Sequence, residues 1–239
     1  MVLAEEIMKK IGILVFIVAI VVGVAVANVI SFGKASGSIF TFSFNSGVRG
    51  SGVAASETRS TDEFTGVDVG GVFEVEITAG KEYSVQVQAD DNLLPFIKTE
   101  VDSGVLHIST TQRVNSHSTL RVIVAAPDID HLDISGVSKV TLSGVKNSEL
   151  GIHTSGASKV KLDGETSELN IEVSGASSID AEALKSKTAT VDSSGASKVS
   201  VFATDRLNLE ASGASKIQYS GNPASVEKES SGASSIRQK

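Results

Sequence analysis

A hexapeptide that recurs six times constrains the fold of this chain more than any other feature. Its pattern is Ser-Gly-Ala/Val-Ser-Lys/Ser-Val/Ile, and its copies occupy 135–140, 155–160, 174–179, 194–199, 212–217 and 231–236. The second residue of every copy is glycine, 18 to 20 residues from the next: Gly136, Gly156, Gly175, Gly195, Gly213 and Gly232. A period near 20 residues indicates a solenoid, in which each repeat forms one coil that stacks on the preceding coil.

The apolar residues within each period indicate the kind of solenoid. Leu150 and Ile152 alternate with non-apolar residues, and so do Val160 and Leu162. This alternation is typical of a strand with one buried face, and no window of the repeats carries the helical period. We therefore predict an all-β fold whose regular coils, 131–236, form a parallel β-helix with at least two strands per coil.

The Ser-Gly-Ala segment is predicted to form a corner between two strands. Glycine reaches positive φ without steric cost, and serine can hydrogen-bond backbone groups that a turn leaves unpaired. The alanine is small enough to point inward at a tight corner. Coils stacked in register would place equivalent residues above one another in columns.

The coils and the stretch before them resemble the head GIN domain of putative autotransporter adhesins. The resemblance covers about 60–236, and its first part lies in the segments 64–69, 73–75, 83–87, 92–94 and 105–108. It implies an extracytoplasmic β-helical domain that acts in surface adhesion. It brings no known catalytic residue.

The N-terminus predicts a membrane segment. Residues 1–10 are charged and are expected to be cytoplasmic, whereas 11–33 carry no charge and are long enough to span a bilayer as a transmembrane helix. We favour an uncleaved signal anchor, because the apolar stretch continues past Ala27 to Phe32. The alternative is a signal peptide cleaved after Ala25-Val26-Ala27. Both interpretations place the rest of the chain outside the cytoplasm, in the periplasm or at the cell surface.

The segment between the membrane helix and the coils divides into two parts. Residues 34–60 are rich in Gly and Ser and are predicted to form a flexible stalk. Residues 61–130 lack the regular register of the hexapeptides and are predicted to form an irregular β part, either irregular early coils or a small β-sheet that caps the solenoid. Its predicted strands are 64–69, 72–77, 83–89, 105–109 and 119–125. Hairpin turns are predicted at 79–81 and 102–104, a loop at 90–98 and an exposed tip at 112–118.

Composition and motifs argue against enzymatic activity and against the binding of a metal ion, a cofactor or nucleic acid. The net charge of −7 does not suit nucleic-acid binding, and the absence of cysteine excludes disulfides and thiolate sites. No histidine has zinc-site spacing, and Ser-Gly-Ala-Ser is not a nucleophile elbow. Asp90-Asp91-Asn92 lacks the spacing of a calcium loop, so we interpret it as a solvated loop. The acidic residues of the coils are scattered along the sequence: Asp133, Asp163, Glu172, Asp180 and Glu182.

The fifth hexapeptide position suggests a binding surface. Its residues are Lys139, Lys159, Ser178, Lys198, Lys216 and Ser235. Stacked coils lie about 4.8 Å apart, so this position predicts a basic column that binds acidic glycans or another anionic surface. The competing interpretation is that the lysines keep this face soluble and block aggregation.

The residues and the family resemblance together predict a non-enzymatic, adhesin-like module of the cell envelope, which binds surfaces or glycans through a repetitive β-helix face and contacts a membrane through 11–33. One alternative is a self-assembling scaffold in which copies join through the terminal coils. The other is a carbohydrate-active β-helix enzyme.

Overall fold

The computed structural model describes residues 47–239, and all of its regular structure is β apart from one 3₁₀ turn, Leu94–Phe96. The predicted segments 1–10 and 11–33, and the first part of the predicted stalk, lie outside the described residues. In the described part, no helix has the length and apolarity that a membrane crossing requires.

Seventeen strands make up the described chain. Those before the regular coils are β1 (Val48–Arg49), β2 (Ala54–Arg59), β3 (Gly66–Gly71), β4 (Glu74–Ala79), β5 (Ser84–Asp90), β6 (Ile97–Asp102), β7 (Val105–Thr110), β8 (Val114–Asn115) and β9 (Arg121–Ala126). Those of the coils are β10 (His131–Gly136), β11 (Lys139–Gly156), β12 (Lys159–Gly175), β13 (Ser178–Ser193), β14 (Lys198–Ala211), β15 (Lys216–Ser220), β16 (Ser225–Ser230) and β17 (Ser235–Gln238).

The coil strands stack in parallel into a β-solenoid of about five turns. Equivalent residues of successive coils pair, so that Leu132 lies beside Ile152 and Ile152 beside Ile171. The long strands β11 and β12 continue round more than one side of the coil, with positive-φ glycines Gly144 and Gly164 along them. The predicted all-β solenoid, with one coil for each hexapeptide period, is confirmed.

Two sides of the solenoid meet at the hexapeptide corner. The first side precedes the corner and contains β3, β10, the C-terminal parts of β11–β14, and β16. The second side follows the corner and contains β4, the N-terminal parts of β11–β14, β15 and β17. Each coil therefore contributes one segment to each side.

The irregular strands extend the same two sides. On the first side, β7 pairs parallel to β3 and β6 pairs antiparallel to β7. On the second side, β9 pairs parallel to β4, β5 pairs antiparallel to β9, and β2 pairs antiparallel to β5. Apart from β1 and β8, which pair with each other in a sheet of two strands, the strands before residue 131 therefore extend the solenoid sheets.

Several local predictions for this part are corrected by the pairing. Within the predicted stalk, β1 and β2 are strands, because β2 finds a free edge on β5 that composition cannot reveal. The turn at 79–81 does not close a hairpin, because β9 lies between β4 and β5. The predicted loop 90–98 ends early, since β6 begins at Ile97. The hairpin at 102–104 is confirmed, with Ser103 and Gly104 both at positive φ, as a tight two-residue turn requires.

One hydrophobic core runs through the described chain. Valine, isoleucine and leucine side chains from both sides fill it, from Phe64 in the irregular part to Tyr219 in the last coils. Most interior side chains are aliphatic, because stacked coils leave a narrow interior in which each residue packs on its equivalent in the next coil. Asn45–Lys239 is a compact unit that contains all of this core, so we expect it to fold on its own.

Candidate binding groove

The hexapeptide glycines form a column of close backbone contacts at the corner. Each has positive φ, and a Cβ added to any of them would lie closer than 3.0 Å to the carbonyl oxygen of the preceding glycine in the column. Gly71 belongs to this column, since it pairs with Gly136. The segment Gly70-Gly71-Val72-Phe73-Glu74-Val75 is therefore a seventh, degenerate copy of the hexapeptide, which sequence reasoning missed.

The serine at the fourth hexapeptide position, and not the alanine, points inward at the corner. The Ser158 hydroxyl accepts a hydrogen bond from Ser138 N (3.1 Å) and donates one to Gly136 O (3.2 Å). Ala157 is exposed, whereas Ser158 is buried. The prediction that the alanine points inward is wrong. The turn leaves backbone groups unpaired, and only a hydrogen-bonding side chain can satisfy them.

The outward residues of the corner form an apolar ridge. In the first coils the ridge consists of Val72, Val137, Ala157 and Ala176. Val72 and Val137 are 67% and 58% exposed, so two branched apolar side chains face solvent beside each other.

The fifth hexapeptide position forms one column on the second side. The register pairs Lys139 with Lys159, and the column continues through Ser178, Lys198, Lys216 and Ser235. Glu74 precedes Lys139 in the column, and Lys139 Nζ lies 2.6 Å from Glu74 Oε1. The hydrogen bond from Lys139, together with its charge, holds the pKa of Glu74 below its usual value. Within residues 47–239, the other three lysines of the column have no ion-pair partner.

A groove of about 890 Å³ lies between the apolar ridge and the segment 110–120. Its lining contains the cationic residues Arg113, Lys139 and Lys159, together with Glu74. Lys198 and Lys216 do not line it. The structure therefore divides the lysine column at Ser178: the first two lysines belong to the groove, and the last two lie on the open face beyond it.

The far wall of the groove is held by Asp90. Its buried carboxylate accepts hydrogen bonds from Ser118 Oγ (2.7 Å), His117 N (3.2 Å) and Ser116 Oγ (3.2 Å). The Ser118 hydroxyl makes the largest contribution to lowering the pKa of Asp90. Asn92 binds the segment before β2, since its Oδ1 accepts from Ser51 N (2.8 Å).

The solvated-loop interpretation is therefore wrong for Asp90, which is buried, whereas Asp91 and Asn92 are exposed. The three side chains also tie together loops that are distant in sequence, because their oxygens accept hydrogen bonds from backbone and hydroxyl donors on those loops. Residues 112–118 are mostly exposed, as predicted, and they also form one wall of the groove, with β8 paired to β1. No group of three or more potential metal ligands occurs among residues 47–239.

Neither the coil acids nor the histidines line the groove, although His117 lies within the segment that forms its far wall. Of the five acids singled out in the sequence, none lines it. Asp133 and Glu172 lie on the first side, where both neighbour His153 in one column. His107 Nδ1 lies 2.8 Å from Asp68 Oδ2, and His153 Nδ1 lies 3.4 Å from Glu172 Oε2. These are pairs between adjacent strands on the surface of a sheet.

Several solved structures share this architecture. A putative adhesin from Bacteroides fragilis superposes with a TM-score of 0.66 at 20% identity, covering 81% of this chain and 100% of that chain. A putative adhesin from Parabacteroides merdae gives 0.54 at 16% identity, with coverage of 80% and 98%. One from Parabacteroides distasonis gives 0.53 at 19% identity, with coverage of 80% and 99%. At these identities the likeness concerns the fold alone.

Comparison of the sequence with protein families gives a match over most of the described chain. No curated protein matches the chain. The family described as "Putative auto-transporter adhesin, head GIN domain" matches residues 63–223, which contain the irregular strands β3 to β9, the groove and five of the six hexapeptides. The chain therefore belongs to the head GIN domain family of putative auto-transporter adhesins.

Proposed function

We propose that this protein is a non-enzymatic, adhesin-like module that binds acidic glycans in the groove beside the hexapeptide corner. One observation carries the proposal: a single groove joins three cationic side chains to an exposed apolar ridge. Membership in an adhesin family supports an interaction role.

The cationic residues of the groove differ in their availability. Lys139 is neutralised by Glu74, whereas Arg113 and Lys159 have no carboxylate partner within the described residues. An arginine guanidinium can bind a carboxylate or sulfate through two parallel hydrogen bonds, and a lysine adds a point charge. Arg113 and Lys159 are therefore the proposed anchors for the acidic groups of a glycan.

The rest of the lining suits a sugar ring. Thr110, Asn115 and Thr119 offer hydroxyl and amide groups that can exchange hydrogen bonds with sugar hydroxyls. Val72 and Val137 offer apolar contacts for the C–H faces of the ring. A concave, partly apolar surface with a few convergent polar groups is the usual form of a small-ligand site.

The proposed location is extracytoplasmic, with residues 11–33 as the membrane anchor. The adhesin family supports exposure outside the cytoplasm, and the apolar composition of 11–33 supports the anchor. Many anchored copies on one surface would bind a long polysaccharide at several grooves, so weak single contacts would sum to strong attachment.

The test measures binding of Asn45–Lys239 to immobilised heparin and alginate, with dextran as a neutral glycan. Lys159→Ser and Arg113→Ser are each expected to raise the dissociation constant for an acidic glycan by about tenfold, because each removes one charge-assisted contact. The matched control is Lys161→Ser, which removes the same charge two residues further along β12, outside the groove.

Two further variants test the role of Glu74. Lys139→Ser is expected to weaken binding less than Lys159→Ser, because Lys139 is already paired. Glu74→Gln is expected to strengthen binding, because it frees Lys139. If Lys161→Ser and Lys159→Ser weaken glycan binding equally, the groove is not the binding site. The binding is then a non-specific attraction between charges.

The two alternatives give different results with the same preparation. Filaments that lengthen with protein concentration would favour the scaffold joined through terminal coils. Shortening of the polysaccharide would favour the enzyme.

A further inference from the structure

A column of acidic side chains runs along the first side, directly before the corner. The register pairs Glu172 with Asp192, Asp192 with Glu210, and Glu210 with Glu229. All four side chains are exposed. Asp192, Glu210 and Glu229 form no ion pair within residues 47–239.

Each of these acids has a hydrogen-bond donor six residues later, across the corner on the second side. Asp192 and Glu210 are followed by Lys198 and Lys216, and Glu172 and Glu229 are followed by Ser178 and Ser235. In each of these coils an acceptor and a donor thus flank the corner. Neither lysine has an ion-pair partner in the described part of the chain.

Only small residues separate the two columns. The exposed or partly exposed corner positions between them are serine, glycine and alanine, such as Ser194-Gly195-Ala196 and Ser212-Gly213-Ala214. No side chain larger than that of serine stands there, so a flat partner can approach both columns at once. The earlier corners differ, because Val72 and Val137 project beside the groove.

We propose that the later corners are an interface between two copies of this chain, packed corner to corner about a two-fold axis parallel to the solenoid axis. Half a turn about this axis places the acidic column of each copy opposite the donor column of the other. Because both columns come from the same coils, they have the same spacing, and Asp192 meets the partner copy's Lys198 at equal height. The two-fold axis could instead lie perpendicular to the solenoid axis and run across the corner from one column to the other. That arrangement would place the acidic column of each copy opposite the acidic column of the other.

This surface adjoins the groove at Ala176 and Ser178, and a contact between two copies of the chain goes beyond glycan binding. The interface is closed, because the same patch is used on both copies, so it produces dimers and not filaments. Exposed ion pairs are individually weak and screened by salt, so the dimer should be salt-sensitive.

The first test exchanges charges in Asn45–Lys239. One variant, Lys198→Glu with Lys216→Glu, has acidic residues on both sides of the corner; the other, Asp192→Lys with Glu210→Lys, has basic residues on both. Sedimentation equilibrium should show wild-type dimers at about 0.02 M salt whose dissociation constant rises more than about tenfold by about 0.5 M. Each variant alone should be monomeric, and an equimolar mixture should form heterodimers.

The second test reports the orientation. The chain contains no cysteine, so Ala196→Cys and Ala214→Cys each introduce a single thiol at a corner. Both variants should form intermolecular disulfides at low salt, because every corner meets itself across the proposed axis. Asp205→Cys, on an exposed part of β14 away from the corner, should not.

A wild-type protein that is monomeric at low salt overturns the proposal, and so do charge variants that still form homodimers. Cross-linking at only one corner overturns the parallel orientation. Circular dichroism checks that each variant is folded, and because the exchanged side chains are exposed, the fold should be unchanged.

Discussion

Replacing Gly195 with alanine should destabilise the protein by more than a change in backbone conformation can explain. Gly195 has φ +85°, and a Cβ there would lie closer than 3.0 Å to both the nitrogen and the oxygen of Gly175 in the coil below. Gly80 offers a matched control, because its φ is +79° and nothing lies within 4 Å of its added Cβ. The two substitutions share the conformational cost and differ in the contact.

The magnitudes follow from these two environments. An alanine at positive φ costs about 1–2 kcal/mol at either position. The loss of glycine's flexibility in the unfolded chain is also common to both and cancels in the comparison. At Gly195 the corners must additionally separate, which costs about 1–3 kcal/mol as overpacking does elsewhere. The separation also strains the hydrogen bond from Ala196 N to Gly175 O (2.8 Å).

The assay is urea and thermal unfolding of Asn45–Lys239 carrying either substitution. Gly195→Ala should lower the free energy of unfolding by about 1–3 kcal/mol more than Gly80→Ala does. For a domain of this size the difference corresponds to a melting temperature lower by about 2–12 °C. If the free energies of unfolding of the two variants agree within about 0.5 kcal/mol, the close contact between stacked corners is not the reason that position 195 requires glycine.

Two further predictions concern the hydrogen bonds of the corner and of the groove wall. Ser158→Ala should lower the free energy of unfolding in urea by about 1–3 kcal/mol, because it leaves a buried backbone donor unpaired. Ser155→Ala, in the same hexapeptide, should change it by no more than about 0.5 kcal/mol. Equal effects would contradict the conclusion that the fourth residue of the hexapeptide points inward to satisfy the backbone. Since hydrogen bonds lower the pKa of Asp90 in the folded state, its contribution to stability is present above about pH 4 and is lost as the pH falls through the lowered value. The protection of the amides of 111–119 against hydrogen exchange, relative to their intrinsic exchange rates, should therefore fall in acid. Asp90→Asn should weaken this pH dependence of protection, and an unchanged dependence in the variant would assign it to another group.

The repeat made the solenoid predictable because its information is local and periodic. Six copies of one hexapeptide at nearly constant spacing leave few alternatives to stacked coils, and in-register stacking then makes columns of equivalent residues such as Lys139 and Lys159. Alternating apolar residues identified the buried faces for the same reason. The inward residue of the corner was mispredicted, because size suggested alanine, whereas the unpaired backbone groups require the serine hydroxyl.

The irregular part was less predictable because its pairing is not local. Sequence alternation locates β4 and β5 but does not reveal that β9 lies between them, since that depends on which edge is free when the chain folds back. The sequence pattern does not identify the degenerate hexapeptide at 70–75, for a related reason. It retains the glycine but replaces both serines and the lysine, and only its pairing with 135–140 shows its place in the column.

The strand period, the corner glycines and the order of residues along each coil are properties of the chain itself, because they arise from neighbours within a single repeat. The groove has a different origin. It exists because Asp90 holds a segment distant in the sequence against the corner, so that Arg113 comes to lie beside the same cavity as Lys139 and Lys159. The acidic and basic columns on opposite sides of one corner likewise appear only when coils stack, since stacking converts a fixed spacing along the chain into two parallel rows of opposite charge.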